Sequence, residues 1–382
     1  MNLRPNITKV IRVSKIEVAL VVSLVILYLC AMYVHISTIL VFLGMVLGGW
    51  LVFRPSEWAV EGLEGISKTI GLTAYFVGVL TSLTSNLPEA VMLGLTLWRG
   101  YTTKNPAMVD IAILTVLSSI GFNMMLLGSV ILLGTKKTGG SIEIPKTAIE
   151  HEIELIRFTI VALLAVFALG IIDILFSMNL NETTVTTYYI PREATLLLVI
   201  SYLIYILFAA KGGVQGSGES EKTKEELHYS TKAYTMLFLA GLLGIYLGGE
   251  LIVRSVESII SEEALAIYGN PIILSGLLMG ALAAVPEHGI AVISAHKGKI
   301  DISLGNLLGG ISQIILLILG SVGTIILIPL DEYVLFQLLI TALCMWFLKR
   351  SIVDDGKLDN FEGIMIITVQ IFVFILLLKG LV

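Results

Sequence analysis

Long apolar runs recur from one end of this 382-residue chain to the other. A run of about eighteen apolar residues crosses the hydrocarbon layer of a bilayer, roughly 30 Å thick, as one helix. The chain is 56% hydrophobic and only 14% charged, with a mean hydropathy of +0.95, which excludes a soluble globular protein. We therefore predict an all-α polytopic membrane protein surrounded by lipid bilayer. A net charge of −5 gives no reason to expect a nucleic-acid partner.

Counting these runs predicts about eleven transmembrane helices. Their ranges are 16–34, 36–53, 71–98, 106–134, 155–176, 193–210, 233–256, 270–295, 301–328, 330–348 and 361–380. Two amphipathic tails, Ser56 to Thr69 and Ser255 to Leu265, follow the second and seventh helices. The basic N-terminus is similar in composition to a signal peptide, but no small-residue cleavage site follows it. We therefore expect the first run to stay as a membrane helix.

The distribution of Lys and Arg predicts the orientation, because positively charged residues stay on the cytoplasmic side. With this helix count and a cytoplasmic N-terminus, nineteen of the 24 Lys and Arg residues fall on the cytoplasmic side. We therefore expect a multi-pass protein of the cell membrane, with its N-terminus in the cytoplasm and its C-terminus outside.

The two halves of the chain share an ordered series of short matches. The string 248–254 aligns with 48–54, Glu257 with Glu57, and the Pro-Glu pair 286–287 with the pair 88–89. Each copy carries five of the predicted helices, so the second copy inserts upside down, and such repeats place a site near the midplane where broken helices meet. The predicted organisation is an extra N-terminal transmembrane helix, a first five-helix repeat, a polar acidic cytoplasmic linker and a second, inverted five-helix repeat: residues 1–35, 36–210, 211–232 and 233–382.

One carboxylate lies in the middle of an apolar run in each half: Glu89 and Glu287, each directly after a proline. A charged group at this depth is costly and usually marks an ion pathway. Proline removes a backbone donor, so the two prolines would release the carbonyls of Thr84 and Leu282, four residues earlier. The alternative interpretation is a plain helix kink at each proline.

Oxygen-bearing side chains accompany the first of these carboxylates. Ser82, Ser85 and Asn86 share a helix face with Glu89, whereas a glycine and two alanines, at 280, 283 and 284, occupy the matching face of the second half. Carboxylate, carbonyl and hydroxyl oxygens are the ligands that Ca²⁺ prefers. Each glutamate would hold a proton when the ion is absent, because desolvation and like charge favour the neutral acid. Divalent cation and proton would therefore compete for one site.

Further polar residues could line an ion pathway or relay protons: Ser82, His288, Asn306, Gln313, Ser119 and Asn123. Polar packing between helices explains most of them nearly as well, and a histidine bonded to a backbone carbonyl is as common as one that titrates. Glu250 lies near a helix end, and we expect it to be solvated. No catalytic constellation appears, so an enzyme is not expected.

The sequence resembles the repeats of the cation/calcium exchanger superfamily at the Pro-Glu pairs 88–89 and 286–287 and at the string 305–309. Within that superfamily, the second half is most similar to the second repeat of calcium/proton exchangers, at Glu287-His288, the basic string 297–299 and Gln313. The resemblance implies that Glu89 and Glu287 bind Ca²⁺ and exchange it for protons. It also implies that the second and seventh helices slide against a core of the third, fourth, eighth and ninth. The ions implied are Ca²⁺ with H⁺ or Na⁺, and no resident cofactor is expected.

The chain departs from that pattern at several positions. Ser85 replaces a glycine, alanines at 283–284 replace a polar pair, and Phe122 replaces a polar residue before Asn123. Prolines before both glutamates are more typical of the sodium-coupled branch. Na⁺/Ca²⁺ exchange and antiport of another divalent cation, such as Mn²⁺ or Mg²⁺, therefore remain alternatives, as does a passive channel. The sequence gives no indication of oligomeric state.

Overall fold

The computed structural model describes residues 13–34, 37–72, 74–144, 146–179, 189–215, 230–261, 270–296, 300–330 and 332–379. The chain divides into two compact units. Unit 1 comprises Met1–Ala112 and Ile206–Ser275, and unit 2 comprises Ile113–Tyr205 and Gly276–Val382. Each unit therefore takes helices from both halves of the sequence. The predicted organisation into repeats and linker follows the sequence and stays a prediction.

The helices that lie wholly in unit 1 are α1 (Lys15–Val34), α2 (Ser37–Ile70), α3 (Ala74–Ser85), α4 (Leu87–Thr103) and α8 (Thr231–Ser261). Three helices run from one unit into the other: α5 (Pro106–Thr138), α7 (Arg192–Gln215) and α9 (Pro271–His296). Unit 2 contains α6 (Lys146–Asn179), α10 (Ile300–Gln313), a π-helical segment (Ile314–Leu319), α11 (Gly320–Ile325), α12 (Glu332–Asp355) and α13 (Asn360–Lys379).

Each apolar run predicted as a membrane helix carries helix, which confirms the all-α polytopic class. Within the described ranges, eight helices are long and apolar enough to cross a membrane, so the count of about eleven stays a prediction. The predicted tail at 56–69 continues α2 through Pro55, and the tail after 255 continues α8 to Ser261. The remainder of that tail, the basic N-terminal residues 1–12 and linker residues 216–229 lie outside the described residues.

A short two-stranded sheet pairs the segment after α5 with the segment between α12 and α13, where a helix cap also lies. Strand β1 (Ser141–Glu143) pairs antiparallel with β2 (Lys357–Asp359), with Ile142 opposite Leu358, and the sequence analysis did not anticipate either strand. The Asp359 carboxylate accepts a hydrogen bond from the Phe361 amide at 2.6 Å, and Glu362 accepts one from the Asp359 amide at 2.7 Å. This reciprocal capping box fixes the start of α13.

Unit 1 is organised around the antiparallel pair α2–α8. Gly44 lies beside Ser255 at one end of the pair, and Gly65 lies beside Tyr234 at the other. In the middle the backbones touch: a Cβ added to Gly48 would lie 2.8 Å from the Gly248 carbonyl oxygen. Side-chain-free positions on both helices therefore allow an approach that larger residues would block, as in close helix crossings within membranes.

Unit 2 packs around the part of α5 that it contains. Ile113, Leu117, Ile120 and Met124 of this helix are almost completely buried. By contrast, Ala31 is the one buried residue among those described in α1, whose other side chains are mostly exposed leucine, isoleucine and valine. Apolar side chains that face outward all around a helix indicate contact with lipid.

Candidate cation site

The polypeptide breaks its helix at Asn86, directly before the first Pro-Glu pair. α3 ends at Ser85, Asn86 has φ −88° and ψ 0°, and α4 begins at Leu87. Pro88 therefore lies in the first turn of α4, where a missing N–H removes no hydrogen bond from that helix. Glu89 lies in the same turn. The positive end of the α4 dipole favours a carboxylate or a bound anion at this place, and it opposes the cost of burying Glu89.

Polar side chains around this break are buried. Relative exposure is 2% for Glu89, 2% for Asn86 and 2% for Thr84, and it is 1% for Ser85 and 7% for Ser82. Five buried polar residues within eight positions are costly in a membrane helix unless other groups compensate them. The structure therefore brings together the first-half residues that the sequence predicted.

The hydroxyl groups at the break bond back to the preceding turn. Thr84 Oγ1 donates to the Leu80 carbonyl at 2.8 Å, and Ser85 Oγ donates to the Ser82 carbonyl at 2.7 Å. A hydroxyl that donates its proton in this way keeps oxygen lone pairs that can accept a hydrogen bond or coordinate a metal ion.

The second Pro-Glu pair has a different local structure. α9 continues from Pro271 to His296 with Pro286 inside it, so the expectation of a broken helix in each half is correct only for the first. Membrane helices tolerate an internal proline because neighbouring groups can satisfy the released carbonyl. Leu282, whose carbonyl is the one released, is half-buried in unit 2. The side chains of Glu287, His288 and Asn306 lie outside the described part of the structure.

α9 packs closely on α5 within unit 2, about two to three turns before Glu287. A Cβ added to Gly280 would lie 2.1 Å from Ser118 Oγ, and one on Gly276 would lie 2.5 Å from Leu114 Cβ. Ser118 Oγ donates to the Leu114 carbonyl at 2.6 Å and lies 2.9 Å from the Gly276 carbonyl oxygen. Sequence reasoning missed Ser118, whose only signal was its place beside Ser119 opposite a Gly-x-x-x-Gly string.

The remaining predicted pathway residues of unit 2 are buried: Ser119, Asn123 and Gln313 are 0%, 0% and 3% exposed. Among the described residues, neither polar atom of the Asn123 amide has a hydrogen-bond partner. An amide in that condition costs free energy unless water, an ion or another group satisfies it. Burial alone does not separate a pathway role from packing for the other two residues.

An ion-pair network joins α4 to α8 in unit 1. Arg99 forms ion pairs with Glu250 and, at 3.5 Å, with Glu257, and Arg254 Nε lies 2.8 Å from the same Glu250 carboxylate. The Glu250 side chain is only 19% exposed. The expectation that Glu250 is solvated is therefore wrong, because the partner Arg99 is 151 positions away in sequence and gave no local signal.

A related cluster joins α1 to α2. Glu17 accepts hydrogen bonds from Arg54 Nε at 2.7 Å, from the second Arg54 terminal nitrogen at 3.0 Å and from Trp50 Nε1 at 3.0 Å. Glu57 pairs with Arg54 at 2.5 Å. In the sequence alignment of the halves, Arg54 and Glu57 correspond to Arg254 and Glu257, so equivalent arginines anchor both clusters.

A family model described as "Sodium/calcium exchanger protein" matches residues 38–211 and 233–379. The protein named Ca(2+)/H(+) antiporter of Aphanothece halophytica is 23% identical over 361 residues, which cover 86% of this chain and 91% of that protein. The putative antiporter CaxA of Alkalimonas amylolytica is 25% identical over 297 residues, which cover 76% and 81% of the two chains.

Two kinds of solved structure share the fold. The H+/Ca2+ exchanger CAX aligns with a TM-score of 0.67 at 18% identity, and covers 98% of this chain and 92% of that one. The sodium-calcium exchanger NCX_Mj aligns with a TM-score of 0.57 at 20% identity, over 86% of this chain and 95% of that one. At these identities the likeness concerns the fold.

Proposed function

Because the chain belongs to the sodium/calcium exchanger protein family, we propose that it is a secondary active antiporter that exchanges Ca²⁺ for H⁺ across the cell membrane. The family match confirms the resemblance found in the sequence, and the apolar helices make the chain a multi-pass membrane protein. The exchange follows alternating access, with Glu89 and Glu287 as the shared ion ligands. The N-terminus lies in the cytoplasm and the C-terminus outside. Ca²⁺ and its counter-ion are cargo, and no resident cofactor takes part.

One observation carries the proposal: a glutamate that is 2% exposed lies at a helix break in the middle of an apolar run. A buried carboxylate without a cation holds a proton, because burial disfavours the charged form. When Ca²⁺ arrives, the α4 dipole and the ion's own charge both favour the ionised form. The proton therefore leaves as the cation binds, which is the coupling that an exchanger needs.

The ligands we propose are oxygens, as Ca²⁺ prefers. The first half of the sequence supplies the Glu89 carboxylate, the Thr84 carbonyl, and the side-chain oxygens of Ser85 and Asn86. The second half supplies Glu287 and the Leu282 carbonyl, by the correspondence of the two Pro-Glu pairs in the sequence. Two carboxylates neutralise one divalent ion, or two protons replace it, so the site never holds a large net charge.

Movement in the proposed cycle belongs to the pair α2–α8. The backbones of these helices touch at Gly48 and Gly248, so the pair is expected to move as one body. α2 and α8 correspond to the second and seventh predicted helices, and the family resemblance implies that these two slide against a core of other helices. The buried polar residues we assign to the ion pathway are Ser82, Ser119, Asn123 and Gln313, with His288 and Asn306 as further candidates.

Sodium as the coupling ion is the second candidate, and Asn123 favours it. Its amide oxygen is buried without a hydrogen-bond partner among the described residues, and a neutral oxygen ligand of this kind suits a monovalent cation. Against sodium, the second half offers alanine at 283 and 284, both fully buried and without side-chain oxygen. The same shortage of oxygens keeps Mn²⁺ and Mg²⁺ as alternative cargo.

The test is ⁴⁵Ca²⁺ uptake into proteoliposomes that contain the purified protein. One set carries an outward proton gradient, and a matched set carries an outward sodium gradient. We expect uptake against the Ca²⁺ gradient in the first set only. Uptake only in the second set would mean that Na⁺, and not H⁺, is the coupling ion. Inhibition of ⁴⁵Ca²⁺ uptake by excess Mn²⁺ or Mg²⁺ would show that the site also accepts that cation. No driven uptake of any of these cations would overturn the proposal.

A further inference from the structure

α8 crosses its two neighbours in unit 1 at three consecutive residues. A Cβ on Gly248 would lie 2.7 Å from the Gly48 carbonyl oxygen of α2, and one on Gly249 would lie 3.2 Å from Leu95 Cδ1 of α4. The next residue, Glu250, is paired with Arg99 of α4. One turn of α8 therefore contacts α2 through backbone, α4 through an apolar surface and α4 again through charge.

The apolar part of the α4–α8 contact resists sliding only weakly. Gly249 presents no side chain, and the surface opposite it consists of Leu95, Met92 and Val91. Dispersion contacts of a smooth helix surface with flexible side chains have little directional preference, and membrane helices lack a hydrophobic force that holds them together. The register of α8 on α4 must then come from a directional interaction.

We propose that Arg99 is the residue that positions α8 against α4, and that its ion pairs with Glu250 and Glu257 form an ionic latch that opens in each transport cycle. The inference rests on the proposed function, because the latch matters only if α8 moves relative to the helix that carries Glu89. The Arg99, Glu250 and Glu257 side chains are 27%, 19% and 34% exposed, so water screens the latch only in part. A partly screened pair can open during a cycle, whereas a fully buried pair would hold too tightly.

Arg254 supplies a matched control. It bonds the same Glu250 carboxylate at 2.8 Å, but it lies on α8 itself, four residues further along. Replacing Arg254 by Gln removes the same charge as replacing Arg99 by Gln, but it leaves the link between α4 and α8 in place. A difference between the two variants therefore reports the link and not the local charge.

The experiment measures exposure of a cysteine placed in the latched contact. Cys30 and Cys344 are replaced by Ala, and Leu95→Cys is labelled with a maleimide in detergent, without any cation gradient. We expect Arg99→Gln and Glu250→Gln to speed labelling about five- to tenfold, since a charge-assisted pair that is partly exposed is lost. Arg254→Gln should stay within about twofold, and the double variant Arg99→Gln/Glu250→Gln should label no faster than either single one.

Labelling at the parental rate in both single variants would overturn the latch, as would effects that multiply in the double variant. Arg99→Lys keeps the positive charge but cannot bond two carboxylates with the planar geometry of arginine. In this variant the cysteine at position 95 should be labelled at an intermediate rate. A graded response of this kind distinguishes loss of the latch from a variant that fails to fold. In Ca²⁺ uptake, Glu250→Gln should change the maximal rate while KM stays within about twofold. Its partner Arg99 lies ten residues along α4, roughly 15 Å, beyond Glu89, so the change is remote from the proposed Ca²⁺ ligand. Labelling needs no transport, so a failed uptake assay with normal latch behaviour would count against the proposed function alone.

Discussion

Glu89 experiences opposing influences at one position. Burial favours its neutral form, whereas the first turn of α4 favours its ionised form. This balance is what the proposed exchange of a proton for Ca²⁺ at Glu89 requires. The same residue type at Glu154 of α6 is 66% exposed and pairs with Arg157 three residues later, so it carries no such balance. Burial and helix position, rather than residue type, distinguish the two.

Glu89→Gln should lower Ca²⁺ exchange by at least about hundredfold, because it removes half of the charge that neutralises the ion in a buried site. Glu287→Gln should have the same effect. Both variants should stay folded, since a glutamine has the shape of a protonated glutamate. Gradient-driven ⁴⁵Ca²⁺ uptake is the measurement, and Glu154→Gln is the control that should transport normally. Full uptake by Glu89→Gln would remove this residue from the site.

The variant Asn123→Leu tests whether Asn123 serves the ion pathway or only the packing between helices. The amide lacks a hydrogen-bond partner among the described residues, so an apolar side chain of similar size should raise stability by about 1 kcal/mol. If the amide serves the ion pathway, as we expect, driven uptake should fall at least about fivefold in the stabilised protein. Thermal unfolding in detergent and uptake are measured on one preparation. A stabilised variant with unchanged uptake would assign Asn123 to packing.

At the scale of helices, proline shows how far a short string determines local structure. The pair Pro88-Glu89 follows a break at Asn86, whereas Pro286-Glu287 lies inside the continuous α9. The run lengths predicted the helices because hydrocarbon thickness sets them. A break was expected in both halves and occurs only in the first, because the same dipeptide is compatible with both conformations and the surrounding packing decides between them. The Arg99–Glu250 pair was missed for a related reason: it depends on α4 and α8 lying together.

The glycines of the α2–α8 pair make a matched test of close packing. A Cβ on Gly48 would meet the Gly248 carbonyl oxygen at 2.8 Å, whereas one on Gly94 of α4 would meet nothing within 4 Å. Gly48→Ala should therefore lower stability by about 1–3 kcal/mol, because the helices must separate. Gly94→Ala should raise it by up to about 1 kcal/mol through helix propensity. Equal midpoints of thermal unfolding for the two variants would contradict the close approach.

The cap of α13 predicts a pH dependence. A hydrogen bond from the Glu362 side chain and one from the Phe361 amide hold the pKa of the Asp359 carboxyl below its ordinary value. A lowered pKa contributes stability that is present above the unfolded value, about 3.9, and is lost as pH falls through the folded value. Asp359→Ala should cost about 1 kcal/mol at pH 7 and less in acid. Unfolding midpoints across pH test this, with Asp359→Asn as the control that keeps a cap without a charge.

At the scale of the molecule, the orientation is a sequence prediction that two exposed lysines can test. Lys104 at the end of α4 is predicted to lie outside, and Lys357 of β2 is predicted to lie in the cytoplasm. In a background without Cys30 and Cys344, Lys104→Cys should react with an impermeant maleimide in intact cells. Lys357→Cys should react only in inverted vesicles. The opposite pattern would reverse the predicted topology.

The two arginine clusters also bear on which access state the protein occupies at rest. If the two halves were identical in sequence and nothing lay outside them, a two-fold rotation would relate the inward-open and outward-open forms, which would then have equal energy. This chain has Glu250 in the second half but Trp50 at the corresponding place in the first, so the carboxylate opposite Arg54 comes from α1 instead. Each helix of the α2–α8 pair is thus linked to a different neighbour: α8 to α4, the helix of Glu89, and α2 to α1, whose side chains are mostly exposed. The two ion-pair clusters are therefore not equivalent, and such a difference favours one of the two access states over the other in an exchanger built from inverted repeats.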